Sequence, residues 1–218
     1  PHKEALDKCT SMIPPYASVA TQGNIFPHIS HRLNVYPFFE QGMEYILVDS
    51  LYGSYSLPEP LEPKSLKKAL PDLVKNDTYG IMIAIDGIWL LKMGYSGEQF
   101  ELPFKNGLKA NFYNNLNVSG EVAFQEVFFT LDRYWDEYSL FAKVDGNNFS
   151  LRAEGYVYSA ESGNYVFKLE SDGTSRLYIG QQLVSELDSQ PQTSLFLEKG
   201  YHEITIEYVK SGIPATLK

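Results

Sequence analysis

Cysteine is almost missing from this chain. Cys9 stands alone in 218 residues, so no intrachain disulfide can form. A chain of this size does not need such a staple, so the lack excludes neither an oxidising nor a reducing compartment. Positive charge is also scarce: 18 Lys and Arg face 27 Asp and Glu, for a net charge of −9, and no Lys/Arg run breaks the pattern. Such a surface repels phosphate backbones, which argues against nucleic acid as a partner. No apolar run approaches the length of a membrane span. No signal peptide is visible, and Pro1 rather than Met opens the chain, which points to a piece of a longer or processed protein. G-x-S-x-G, Walker, G-x-G-x-x-G and zinc-type Cys/His spacings are all missing. Asp136-Glu137 are adjacent carboxylates, but a glycosidase needs two that oppose each other across a cleft, and adjacency does not supply that. The expectation is a non-catalytic chain.

What is present is aromatic and apolar. The chain is 44% hydrophobic, with 16 Tyr and 13 Phe, enough for one or two cored domains. In the first half, Ala5, Leu6, Cys9, Met12 and Ile13 fall on one face of an amphipathic helix that Pro14-Pro15 ends. Cys9 belongs to that buried face rather than to a nucleophilic site. Ala17–Thr21, Asn34–Phe38 and Tyr45–Val48 read as strands, and Pro27 suits the first turn of a short helix through Arg32. Residues 53–64 read as a loop. Ser65 is a fair N-cap for a helix to Lys75 that Pro71 must bend or split. Asp86-Gly87 between Ile81–Ile85 and Ile88–Met93 is a strong hairpin signal, and the near-continuous hydrophobicity of both runs predicts that both faces are covered. Two positions here have ligand-binding types. His28 and His31, at i and i+3, can share a metal, with Asp49 as a third group brought in by the fold. Asp49 also lies at a strand's carboxyl end, where open α/β sheets bind ligands. An exposed histidine pair and a solvated aspartate are the plainer readings.

The stretches IPPYASVATQGNIFPHISHRLNVYPF and YILVDS, with the hairpin YGIMIAIDGIWLLKMGYSG, resemble the soluble tail of a family of prokaryotic predicted multi-spanning membrane proteins. Those proteins are similar to polytopic glycosyltransferases. Over residues 1–97 the resemblance implies the extracytoplasmic end of a membrane protein whose transmembrane part lies elsewhere in the same protein.

A boundary falls near Gly94–Pro103, and from Asn106 the pattern is strand and turn throughout. Tyr165, Phe167 and Leu169 alternate with Val166, Lys168 and Glu170. Leu177 and Ile179 continue the alternation, as do Ile204, Ile206 and Tyr208. Short strands at tight spacing predict an antiparallel β-sandwich. The block FSLRAEGYVYSAESGNYVFKLESDGTSRLYIGQQLV resembles the centre of the protective-antigen (fourteen-kilodalton) domain, a lectin-like β-sandwich found in glycosidases, toxins and adhesins. GLKANFYNN is similar to that family's opening strand, FFTLDRYW to a following block, and SLFLEKGYHEITIEYV to its closing hairpin.

The expected architecture is therefore α+β in two domains: a small α/β layered domain over 1–97 and a jelly-roll-type sandwich over 104–218. The second resemblance also implies a site. Sugar-binding members hold calcium with two adjacent aspartates in the loop that here reads Ser171-Asp172-Gly173-Thr174. Asp172 matches the first aspartate and Gly173 falls where the second should be. The loop Ile179-Gly180-Gln181 lacks a further expected Asp. Asp172, Gly173 and Thr174 are the ligand-binding candidates, Asp172 the one calcium candidate, and Trp135 the candidate for sugar stacking against a plainer core role. Three sequons, at Asn76, Asn117 and Asn148, agree with an extracytoplasmic location. The first expectation is a tail that binds a glycan or cell-envelope component. The alternatives are a structural or protein-interaction module without sugar binding, and an accessory domain of a membrane glycosyltransferase.

Overall fold

A computed structural model describes residues 2–37, 42–51, 66–100, 107–135, 143–186 and 192–218. The chain divides into two compact units, 1–103 with 141–143, and 104–140 with 144–218. Ser65, the loop 53–64, the end of the expected boundary at 101–103, and Asp136-Glu137 lie outside the described residues. Among the described residues no helix is long and apolar enough to cross a membrane.

The first unit holds three helices, α1 (His2–Ser11), α2 (Phe26–Ile29) and α3 (Leu66–Lys75), and five strands. These are β1 (Val19–Thr21), β2 (Val35–Tyr36), β3 (Tyr45–Asp49), β4 (Tyr79–Ile85) and β5 (Ile88–Met93). They run in the order β4–β5–β3–β1–β2, with β1 parallel to β2 and β3, and β5 antiparallel to β3 and β4. Asp86 and Gly87 turn the β4–β5 hairpin with φ values of 48° and 84°, the pair of positive angles that a tight two-residue turn requires. Every residue of β3 and β4 is buried, so these strands carry apolar side chains on both faces. The face of α1 formed by Ala5, Leu6, Cys9 and the following Ile13 is buried, with the helix against β5. Its free carbonyl end is closed by Arg32, which donates to the carbonyls of Thr10, Ile13 and Pro14 at 2.9 Å each. The helix α3 is not split at Pro71. Leu70 and Val74, each 2% exposed, hold it on the side of β4, and that packing outweighs the amide bond the proline cannot make.

The second unit is all strand: β6 (Leu108–Tyr113), β7 (Phe124–Phe128), β8 (Arg133–Trp135), β9 (Asn148–Ser159), β10 (Gly163–Lys168), β11 (Thr174–Ile179), β12 (Gln182–Glu186), β13 (Gln192–Leu197), β14 (Gly200–Ser211) and β15 (Ala215–Leu217). One antiparallel layer runs β12–β11–β14–β9–β6–β7. Two short pairs, β10 with β13 and β15 with β8, make the other. Those pairs join through mutual backbone bonds of 2.8 Å between Glu170 and Lys218 and a bridge from Ser171 to Leu217. The segment likened to a closing hairpin is not one. Its halves, β13 and β14, pair in different layers: β13 with β10, and β14 with β9 and β11.

Trp135 fills the space between the layers. It comes from β8, stacks on Tyr208 of β14 at 6.0 Å, and meets Phe112 of β6 and Phe149 of β9 edge-on at 5.9 and 6.1 Å. Removing so large a buried aromatic leaves a cavity that the surrounding rings cannot close. Trp135→Ala is expected to cost about 3–5 kcal/mol, measured as a drop in the urea midpoint with loss of near-ultraviolet circular dichroism.

Candidate functional site

The loop Ser171-Asp172-Gly173-Thr174 leads from the smaller layer into β11. Its geometry follows from what Asp172 touches. The hydroxyl of Tyr208 donates to Oδ1 at 2.7 Å, and the backbone N–H of Thr216 donates to the same oxygen at 2.8 Å. The Lys210 ammonium lies 3.2 Å from Oδ2 and donates to the Asp172 carbonyl at 3.0 Å. Partial desolvation opposes ionisation of this carboxyl. The Tyr208 and Thr216 bonds and the Lys210 charge outweigh it and hold Asp172 below its ordinary range. The Tyr208 phenol is pushed well above its ordinary value by burial and by the carboxylate it serves. Ser171 closes the loop further: its hydroxyl donates to the Gly173 carbonyl at 2.8 Å and lies 2.9 Å from that of Ser175.

This arrangement does not fit calcium. A calcium ion needs six to eight oxygens, whereas here one carboxylate is already served by two hydrogen bonds and a built-in ammonium. A second carboxylate has no room. A Cβ on Gly173 would lie 2.5 Å from the Val209 carbonyl oxygen and 2.9 Å from Cε2 of Tyr208. The turn at Gly180 and Gln181 cannot complete the set either. It sits at the far end of β11 from Asp172, about 20 Å away at the rise of a strand. Thr174 is exposed and opens β11 opposite Val209. Trp135 is 5% exposed within the core, so neither ring face is open to a sugar.

In the first unit a different cluster forms around Asp49. His28 and His31 are both exposed, on and just past α2. The imidazole that reaches Asp49 is that of His2, at the start of α1: Nε2 lies 3.0 Å from Asp49 Oδ2, and Nδ1 lies 3.1 Å from Asp86 Oδ2. Both carboxylates are buried, at 3% and 4% exposure. Each ring nitrogen faces an acceptor, so the ring carries both protons and lies as a cation between two anions. The bonds to Asp49 and Asp86, against a smaller burial penalty, push its pKa up to about 10. The other oxygen of Asp49 accepts the Leu51 N–H at 3.0 Å, and its own N–H donates to Gln22 Oε1 at 2.7 Å. Both oxygens of Asp49 thus have partners from the chain itself, and the residue is only 3% exposed. Sequence reasoning missed His2 and Asp86 as partners, because 47 and 84 residues separate the bonded groups. The one available signal was two aspartates that end apolar strands. Cys9 is fully buried, and burial pushes its thiol up to about 12. Among the described residues no group of three or more His, Cys, Asp or Glu is placed to hold a metal.

Two measurements probe these clusters. Asp172→Ala strands the buried Tyr208 hydroxyl and is expected to cost about 2 kcal/mol, while added calcium leaves the melting temperature of the parent protein unchanged. The His2 cluster has a pH signature. Folded His2 keeps its proton up to about pH 10, while the unfolded chain releases it near 6.5. Its stabilisation is therefore complete below about pH 6.5 and declines as pH rises towards 10. Between pH 6.5 and 8.5, below the range where Cys9 adds a contribution of the same sign, thermal melts should show this slope. His2→Ala should remove it and cost roughly 2 kcal/mol, less than a fully buried pair because a third of the imidazole is exposed.

No curated protein matches the chain. Among solved structures it is similar to an anti-sigma factor domain-containing protein, at 20% identity over 61% of this chain and 52% of that one, TM-score 0.46. It is also similar to the PA14 domain of the MpAFP antifreeze protein, at 17% identity over 56% and 85%, TM-score 0.43. A third is a beta-glucosidase from Kluyveromyces marxianus in complex with glucose, at 22% identity over 51% and 15%, TM-score 0.41. The chain thus spans about half of the first protein and a small part of the third. The PA14 domain matches residues 104–217, and it lends nothing to the resemblance drawn over residues 1–97. That match covers β6 to β15, all the strands of the two-layered unit closed by Trp135, and by it the chain belongs to the PA14 domain family.

Proposed function

We propose that this chain is a non-catalytic glycan-binding region and that its binding is independent of calcium. Membership of the PA14 domain family supports the binding role. The observation that carries the calcium-independence is the Asp172 cluster, in which the Lys210 ammonium stands 3.2 Å from the carboxylate. The fixed charge neutralises the aspartate without a metal, and the hydrogen bonds to Tyr208 and Thr216 keep the loop in one shape. The ligand is a glycan or another sugar-bearing component of a cell envelope. In this reading the region faces the extracytoplasmic side of a membrane, joined to a membrane-spanning part of the same protein. The resemblance of residues 1–97 to the soluble tails of multi-spanning proteins supports that attachment.

A broad glycan array tests the proposal, run once with calcium and once with chelator. Binding to a defined set of glycans, equal within about twofold under both conditions, is the expected result. Binding that disappears with chelator would overturn the calcium-independence, and an empty array would overturn the glycan reading. Protease accessibility of the region in intact cells carrying the full-length protein tests the side of the membrane.

A further inference from the structure

The outer face of the larger layer of the second unit ends in tyrosine. In the antiparallel register of β9 with β14, Tyr158 stands opposite Tyr201 and Tyr156 opposite Glu203. These four side chains share the face that points away from the core, since their neighbours Ala153, Ile206 and Tyr208 are buried on the other. Tyr156, Tyr158 and Tyr201 are 60%, 54% and 68% exposed. The rings of Tyr158 and Tyr201 lie 4.9 Å apart at 48°. Among the described residues, β6 pairs with β9 from Leu108 opposite Gly155, and β11 pairs with β14 as far as Ile179 opposite Ile204, after which the Gly180 N–H donates to the Glu203 carbonyl at 2.8 Å. The β9/β14 ribbon carries the tyrosines past the last paired positions of both flanking strands among the described residues. Gly155 is required at its base, since a Cβ there would meet the Gly107 carbonyl oxygen at 2.5 Å.

Charge and area narrow what such a patch binds. Further along the same face Arg152 pairs with Glu154 and Glu207, at 2.9 and 3.5 Å, and Arg176 with Glu186 at 2.7 Å. Glu203 is exposed among the tyrosines and forms no ion pair among the described residues. A lone carboxylate on a chain of net charge −9 repels anionic ligands. The three rings expose roughly 400 Å² between them, half of the ~800 Å² per partner that a stable protein interface buries. The footprint suits a few sugar rings. Their polarised C–H faces meet the negative faces of the tyrosines, and their hydroxyls donate to the carboxylate.

We infer that Tyr156, Tyr158 and Tyr201 form a stacking platform, with Glu203 as hydroxyl acceptor, that binds a neutral glycan chain on the outer face of the β9/β14 ribbon. This rests on the glycan-binding reading and gives it a surface and a ligand class. The test is affinity electrophoresis of the full chain through gels containing soluble β-glucan, α-mannan or polygalacturonate. Retardation by a neutral polymer and none by polygalacturonate is expected. Tyr158→Ala and Tyr201→Ala should each weaken that retardation about tenfold, and the double variant should abolish it with the circular dichroism spectrum unchanged. Glu203→Gln should raise retention by polygalacturonate. If the double variant binds the neutral polymer as the parent does, the platform is wrong and the glycan reading survives. If the parent binds no neutral polymer, the platform falls, and an empty array besides removes the glycan reading too. A parent that sediments as a dimer, dissociated by Tyr201→Ala, would reassign the patch to self-association.

Discussion

Tyr208 closes the second unit twice with one side chain. Its ring is stacked on Trp135, which brings the smaller layer onto the larger one. Its hydroxyl donates to Asp172, which in turn accepts from the Thr216 backbone N–H in β15. The apolar contact supplies burial without direction, whereas the hydrogen bonds supply direction and would be weak if solvated. Placed end to end on one residue, they fix both how closely the layers pack and how the loop before β11 sits over them. That loop is consequently part of the closure of the sandwich rather than a free rim.

The same device recurs in a different chemistry in the first unit. There a cation again comes from the chain itself: the His2 imidazolium between Asp49 and Asp86, where the second unit uses the Lys210 ammonium against Asp172. In both, a carboxylate from a strand end or loop is neutralised by a side chain distant in sequence. Asp49 and Asp86 are buried and would be costly left alone, whereas Asp172 is exposed, and in either place a bound metal would make the fold depend on supply. A built-in cation removes that dependence, but it also occupies the position where a ligand would coordinate. On the proposed glycan-binding reading, recognition in the second unit would fall to side chains outside the loop, such as the exposed tyrosines of β9 and β14.

Much of the local structure was legible because local physics determines it. The α1 face follows from spacing, and the Asp86-Gly87 turn from the demand for two positive φ angles. The alternation that runs along β10 to the residue after it places Leu169 in the core with Tyr165 and Phe167 half-buried, while that in β14 buries Ile206 and Tyr208. Pro71 does not split α3, because helix propensity is a local quantity and the packing of Leu70 and Val74 is not. The closing-hairpin reading of Ser194–Val209 failed for a related reason. A turn between two strands brings them near each other, but which layer each enters depends on the partners available across the sandwich.

By itself the sequence determined the periodicities, the turns, the acidic balance and the aromatic wealth, since each is a property of neighbouring residues or of a sum. It also determined that one aspartate of the expected pair is a glycine. Only the tertiary structure decided that this glycine is pressed against β14 with no room for a carboxylate, that Lys210 answers Asp172, and that Trp135 is interior while Tyr156, Tyr158 and Tyr201 are not. Those outcomes depend on contacts between residues dozens of positions apart, and on which of two alternating faces meets the other layer. A strand's pattern names two faces, and only packing chooses the one that turns inward.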